Sequence, residues 1–183
     1  RNSDGRLVMK NGKSIVTIDS KIEFPQRKRY VLAHELGHII LHANMNASFS
    51  DDDTTLEGFK KGPQEKEAND FAAELLMPED SFRKACLGRR FNPELLVELS
   101  NSFNTSLTST VYRFIDLGNH PLAAVYSKNG KVQYWKKSND MYCKIPDINK
   151  LKVPEESVAE EYYRHKRVYK INDIQEIEKS TWF

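Results

Sequence analysis

The pentad His34-Glu35-Leu36-Gly37-His38 constrains this chain more than any other feature, because it sets two histidines four residues apart with a carboxylate directly after the first. Its setting predicts a helix. Pro25 suits a first helical turn, where its missing N–H costs nothing, and from Gln26 to Ala43 the one further breaker is Gly37. In a helix, residues four apart stand one above the other, so both imidazoles can aim a ring nitrogen at one Zn2+ at about 2.0–2.1 Å. Glu35 falls roughly 100° round the helix from His34. There its carboxylate can take a proton from water whose pKa the metal lowers towards ~7.

Along the same stretch, Leu32, Leu36, Ile39, Ile40 and Ala43 recur at i, i+4, i+7, i+8 and i+11, which predicts one apolar, core-facing side. His34, His38, Leu41 and His42 fall roughly opposite. With Val31 and Leu41 among the histidines, that second side is expected to be covered too and to look into a cleft.

A hydrolytic zinc needs a third protein ligand and an open position. His42 is the nearest candidate, but the extended pattern HExxHxxGxxH requires Gly at position 41 and His at position 44, where this sequence has Leu41 and Asn44. His42 therefore reads as a packing residue or as a partner of a ligand. The stretch EKEANDFAAELLMP supplies a better one. Counting about 100° per residue, Asn69, Ala72 and Leu76 share the face of Glu65, whereas Glu67, Asp70 and Glu74 cluster on the far, solvated side. An inward Glu65 needs a charged or hydrogen-bonding partner, which a cation provides. Asn69, one turn on, is placed to hydrogen-bond a ligating histidine and fix its tautomer.

The rest of the chain frames these two helices. RLVMKNGKSIVTID reads as a hairpin turning at Asn11-Gly12, and a polar stretch from Asn44 to Gln64, with Asp51-Asp52-Asp53, reads as a solvated loop. Helices are expected from Glu79 to Leu87, from Pro93 to Ser102, and from a Thr105 or Ser106 cap to Leu117. PLAAVYSKNGKVQYWKKS is a second hairpin, turning at Lys128-Asn129-Gly130. A charged helix from Pro154 to His165 and a strand at Val168 to Ile171 follow. At 183 residues the chain holds one catalytic-sized domain, 1–118, including the helical pair 93–117, and a small C-terminal α/β region, 119–183.

Composition excludes several classes. A formal charge of +2 with both signs interspersed is not that of a dedicated nucleic-acid binder. The second helix of the 93–117 pair, SLTSTVYRFIDL, offers one arginine and no lysine to a phosphate backbone, so packing rather than direct DNA binding is its expected use. Cys86 and Cys143 are far apart, giving neither a disulfide framework nor a thiolate metal site. No window approaches ~18 apolar residues. RNSDGRLVMK lacks the apolar core of a signal peptide, so a cytoplasmic protein without membrane partners is expected.

RKRYVLAHELGHIILH, then EKEANDFAAELLMP, then NSFNTSLTSTVYRF resembles the ImmA/IrrE family of metallopeptidases over roughly Val8 to Trp135. Its specific part is HELGH followed by ExxANxFAxxLLMP. The resemblance implies an α+β, zincin-like and gluzincin-type domain. Its parts are an N-terminal β-hairpin, the HExxH helix, a second ligand helix and a helix-turn-helix-like pair, with a small β-containing C-terminal region after them. It also implies one Zn2+ held by His34, His38 and Glu65, with Glu35 as general base. Members of the family are typically intracellular, carried by bacteria and their mobile elements or phages, and cleave or inactivate transcriptional repressors. The expected function is thus a zinc-dependent endopeptidase acting on a protein substrate, a helix-turn-helix repressor of a stress response, phage or mobile element. The alternative is a metal-containing regulator that inactivates a repressor by binding it without proteolysis.

Overall fold

Strand-forming residues on either side of the Asn11-Gly12 dipeptide give β1 (Gly5–Lys10) and β2 (Lys13–Ile18), paired antiparallel with Leu7 opposite Val16 and Lys10 opposite Lys13. The computed structural model describes residues 4–10, 13–42, 49–50, 62–118, 120–144, 151–171 and 173–182. The Asn11-Gly12 turn itself, Ala43 and the run Asp51 to Asp53 lie outside the described residues. Along β1 the period of two is plain, with Gly5 and Leu7 buried and Arg6 and Val8 exposed. A two-residue strand, β3 (Phe49–Ser50), pairs with the other edge of β1 and completes a sheet of order β2-β1-β3. The stretch read as a loop thus contributes a strand, because the free backbone groups along β1 offer it partners.

Helix α1 (Pro25–Leu41) starts where Pro25 predicts, with the Phe24 carbonyl accepting from the Arg27 and Lys28 amides. Arg27 also donates to Asp4 Oδ2 at 2.6 Å, which ties the helix start to the residue before β1. α2 (Gly62–Leu76) begins slightly ahead of its expected start and stops before Pro78. α3 (Glu79–Cys86), α4 (Pro93–Phe103) and α5 (Leu107–Leu117) follow. Asn92 Oδ1 accepts the Leu95 amide at 2.7 Å and Ser106 Oγ that of Ser109 at 3.1 Å, the side-chain caps expected of these residue types. The architecture is α+β.

The chain forms two compact units, Arg1–Leu87 with Leu99–Thr110, and Gly88–Glu98 with Val111–Phe183. The division runs through α4 and α5, a pair that the sequence places wholly in its first domain. In the first unit Leu7, Val31, Ala68, Ala72, Met77 and Phe82 are almost completely buried. The Phe82 ring lies 5.4 Å from that of Phe103, and burying such a side chain contributes about 1.5–3 kcal/mol. Arg29 donates to the carbonyls of Phe103 (3.0 Å) and Asn104 (2.5 Å), groups that the end of α4 would otherwise leave unpaired.

In the second unit β4 (Ala123–Lys128) pairs antiparallel with β5 (Lys131–Lys137). Their turn has Asn129 at φ 53° and Gly130 at φ 72°, the two positive values that an Asn-Gly hairpin turn needs. α6 (Val158–His165) is capped by buried Ser157, whose Oγ accepts the Glu160 amide at 3.1 Å. The strand expected at Val168 to Ile171 does not form. That stretch has no regular structure, and Val168 (77 %) and Ile171 (50 %) stand exposed. An apolar run becomes a strand when a neighbouring edge pairs with its backbone, and composition cannot show whether an edge is there. No described helix is long and apolar enough to cross a membrane.

Candidate metal centre

The faces of α1 are turned relative to the apolar pattern. Leu32 (42 %), Ile40 (61 %) and Leu41 (49 %) are exposed, while Val31, Ala33, His34, Glu35, Gly37 and His38 are buried. The expectation of a helix covered on both sides is therefore corrected. The physical reason lies in the contact with α2. A Cβ built on Gly37 would stand 3.0 Å from Ala68 Cα and 3.2 Å from Ala68 O, so a glycine facing an alanine is what lets the two backbones come this close. The small residues select the inward face, and the histidines turn inward with them.

This approach brings Glu65 of α2 to the histidines of α1. His34 Nε2 and His38 Nε2 are 3.0 Å apart, with Glu65 Oε2 3.4 Å from the first and Glu65 Oε1 3.5 Å from the second. Donor atoms of the three residues all fall within 4.8 Å of one another. An ion bound tetrahedrally at ~2.0–2.1 Å sets its ligand atoms ~3.3–3.4 Å apart, close to these three separations. As hydrogen bonds, the two contacts of Glu65 are long. Its Oε2 is buried without a hydrogen-bond partner. Such an oxygen is costly to bury, and a cation among these atoms would offset that cost. Burial raises the Glu65 carboxyl, but the facing imidazoles of His34 and His38 outweigh it and hold the pKa at about 2. The group is thus an anion at neutral pH, and the donor set fits a divalent metal.

Asn69 stands where the helix face predicts. Its Oδ1 lies 2.9 Å from His34 Nδ1 and accepts from the Tyr30 hydroxyl at 2.8 Å. An acceptor at Nδ1 puts the proton there and leaves Nε2 with the lone pair a metal needs. His42 is buried at 5 % exposure, and its Nδ1 is 3.1 Å from His38 Nδ1. Glu67, read as a purely solvated residue, is 58 % exposed, yet its Oε2 lies 2.9 Å from His42 Nε2. That reading is corrected: a carboxylate on the rim of a helix face can reach a neighbouring helix that lies this close.

Glu35 is buried at 1 % exposure. A Cβ on Gly5 would come within 2.6 Å of its Oε1 and 2.5 Å of Val31 Cγ1, so the missing side chain in β1 makes room for this carboxylate. Neither Gly5 nor Tyr30 is singled out by the sequence reading. Tyr30 could have been, since it precedes His34 by one helical turn; Gly5 carries no local sign, because its neighbour is thirty positions away.

No curated protein matches the chain. The family described as the IrrE N-terminal-like domain, a peptidase family, matches residues 2–114. That span ends short of Trp135, to which the resemblance extends, but it holds every residue of the centre. The match takes in more than half of the chain and contains a buried HExxH helix facing a glutamate on the next helix, and the chain belongs to the IrrE N-terminal-like family of peptidases.

Proposed function

We propose that the protein is a zinc-dependent endopeptidase of the ImmA/IrrE type, cytoplasmic, that hydrolyses one peptide bond in a helix-turn-helix repressor of a stress response, phage or mobile element. The observation that carries the reading is the convergence of His34 Nε2, His38 Nε2 and Glu65 on one point, with Glu35 next in the chain to the first of them. When bound there, a divalent ion supplies Lewis acidity, polarising a carbonyl and lowering the pKa of water towards ~7. Two imidazoles and a carboxylate suit Zn2+, although Mn2+, Co2+ and Ni2+ also bind such a set. Glu35 takes the proton of the attacking water on its carboxylate and returns it to the departing amine nitrogen, which balances the hydrolysis. The choice of a repressor as substrate rests on the resemblance to ImmA/IrrE proteins, and no direct contact with DNA is proposed.

The test incubates the purified protein with the repressor encoded beside it and reads fragments by mass spectrometry. Two complementary fragments are expected, and Glu35→Gln should retain metal while cleaving ~10²–10⁴-fold more slowly, since it removes the base and spares the ligands. Repressor inactivated by Glu35→Gln yet intact on a gel would overturn this reading in favour of a metal-containing regulator that acts by binding.

A further inference from the structure

Two residues beside the centre have no role in the proposed hydrolysis, yet they are connected to it by an unbroken run of short contacts. Glu67 Oε2 is 2.9 Å from His42 Nε2, His42 Nδ1 is 3.1 Å from His38 Nδ1, and His38 Nε2 belongs to the convergent group. Glu67 is mostly exposed, whereas His42 and His38 are buried at 5 % and 1 % exposure. The run thus leads from solvent to the centre.

Protons can be assigned along it from donor and acceptor chemistry. An ionised carboxylate only accepts, so the 2.9 Å contact puts a proton on His42 Nε2. In a neutral imidazole the other nitrogen then keeps its lone pair. That nitrogen, His42 Nδ1, faces His38 Nδ1 at 3.1 Å, and two ring nitrogens at this distance share one proton, which with His42 neutral is the one on His38. His38 Nε2 is left with its lone pair directed at His34 Nε2 and Glu65. A ligating histidine is ordinarily backed by a carboxylate, a carbonyl or water. Here the carboxylate acts through a second imidazole.

We infer that Glu67 and His42 are positioning residues for His38, a carboxylate–imidazole relay that fixes its tautomer and ring orientation as a metal ligand. The two histidines of the centre are then held differently, His34 by the neutral amide of Asn69 and His38 by a relay ending in a charge. The inference rests on the metal reading of the centre.

The test measures Zn2+ affinity of the full chain by competition with a chromophoric chelator, and the visible absorption of the Co2+ form, for wild type, Glu67→Ala, Glu67→Gln, His42→Ala and the Glu67→Ala/His42→Ala pair. Glu67→Ala should weaken Zn2+ binding ~10–100-fold and shift the Co2+ bands, while the metal-free chain keeps its fold by circular dichroism, because the residue is more than half exposed. Glu67→Gln keeps an acceptor for His42 and should lose less. The double variant should bind no more weakly than His42→Ala, since removing His42 already disconnects Glu67. Wild-type affinity and Co2+ bands in Glu67→Ala would overturn the relay while leaving the metal reading intact, as would losses that multiply in the double variant. A wild-type chain that takes up no Zn2+ would remove the metal reading itself.

Discussion

The candidate metal centre of the first unit and the helix cap and hairpin of the second bury polar side chains for different ends. In the second, buried Ser157 caps α6 and buried Ser138 accepts the Leu122 amide at 3.0 Å, each satisfied by backbone a short way off in the chain or across the hairpin. In the first, His34, His38 and Glu35 are buried at 1 % exposure and His42 at 5 %, and the histidines look towards side chains of another helix. Desolvation costs both kinds of group, and an ionised carboxylate far more than a hydroxyl. A polar residue whose burial is repaid locally holds the fold together, whereas several polar residues converging from different elements mark chemistry.

This contrast can be broken most severely at the helix contact. Gly37→Val puts a branched side chain against Ala68 and should cost about 1–3 kcal/mol through overpacking, lowering the melting temperature by roughly 2–4 °C per kcal/mol. Metal binding should fall with it, because Glu65 reaches the histidines across that contact; a melting scan and metal analysis of the same sample check both. If Gly37→Val kept full metal content, the close approach of α1 and α2 would not be what assembles the centre.

Asn69→Ala should come next, with Zn2+ affinity reduced ~10–100-fold in chelator competition and little loss of fold. Ser157→Ala acts on the second unit instead. It removes a cap and should destabilise the chain by about 1 kcal/mol in denaturant titration while leaving metal content as in wild type. A change in metal content there would mean that the second unit contributes to the centre. The smallest effect expected is that of Tyr30→Phe, which removes one of two donors to Asn69 Oδ1 and should shift Zn2+ affinity by less than Asn69→Ala does.

Much of the site is legible in the sequence. Helical spacing alone decides that His34 shares a face with His38 and Glu65 one with Asn69, and the packing of α1 on α2 then brings the two faces together. The Asn129-Gly130 turn was legible for a similar reason, since its positive φ values are a local demand. What failed depended on partners elsewhere in the chain. Hydropathy put Leu32 and Ile40 inside, but the packing of α1 on α2 follows the small residues Gly37 and Ala68. Val168 to Ile171 has a strand's composition but pairs with no strand among the described residues. Glu67 was assigned by its own helix to solvent, and a histidine on a different helix claims it. Periodicity reports what a segment prefers alone, and the missing information in each case is the identity of a second segment.

The chemistry proposed for the protein requires that His34, His38 and Glu65 hold one divalent ion between them. Elemental analysis of wild type, Glu65→Gln and Ser157→Ala, each purified and dialysed identically, tests it most directly. About one Zn2+ per chain is expected in wild type and Ser157→Ala and near-background metal in Glu65→Gln, where an anionic ligand becomes a neutral amide. Metal retained at the wild-type level by Glu65→Gln would contradict it.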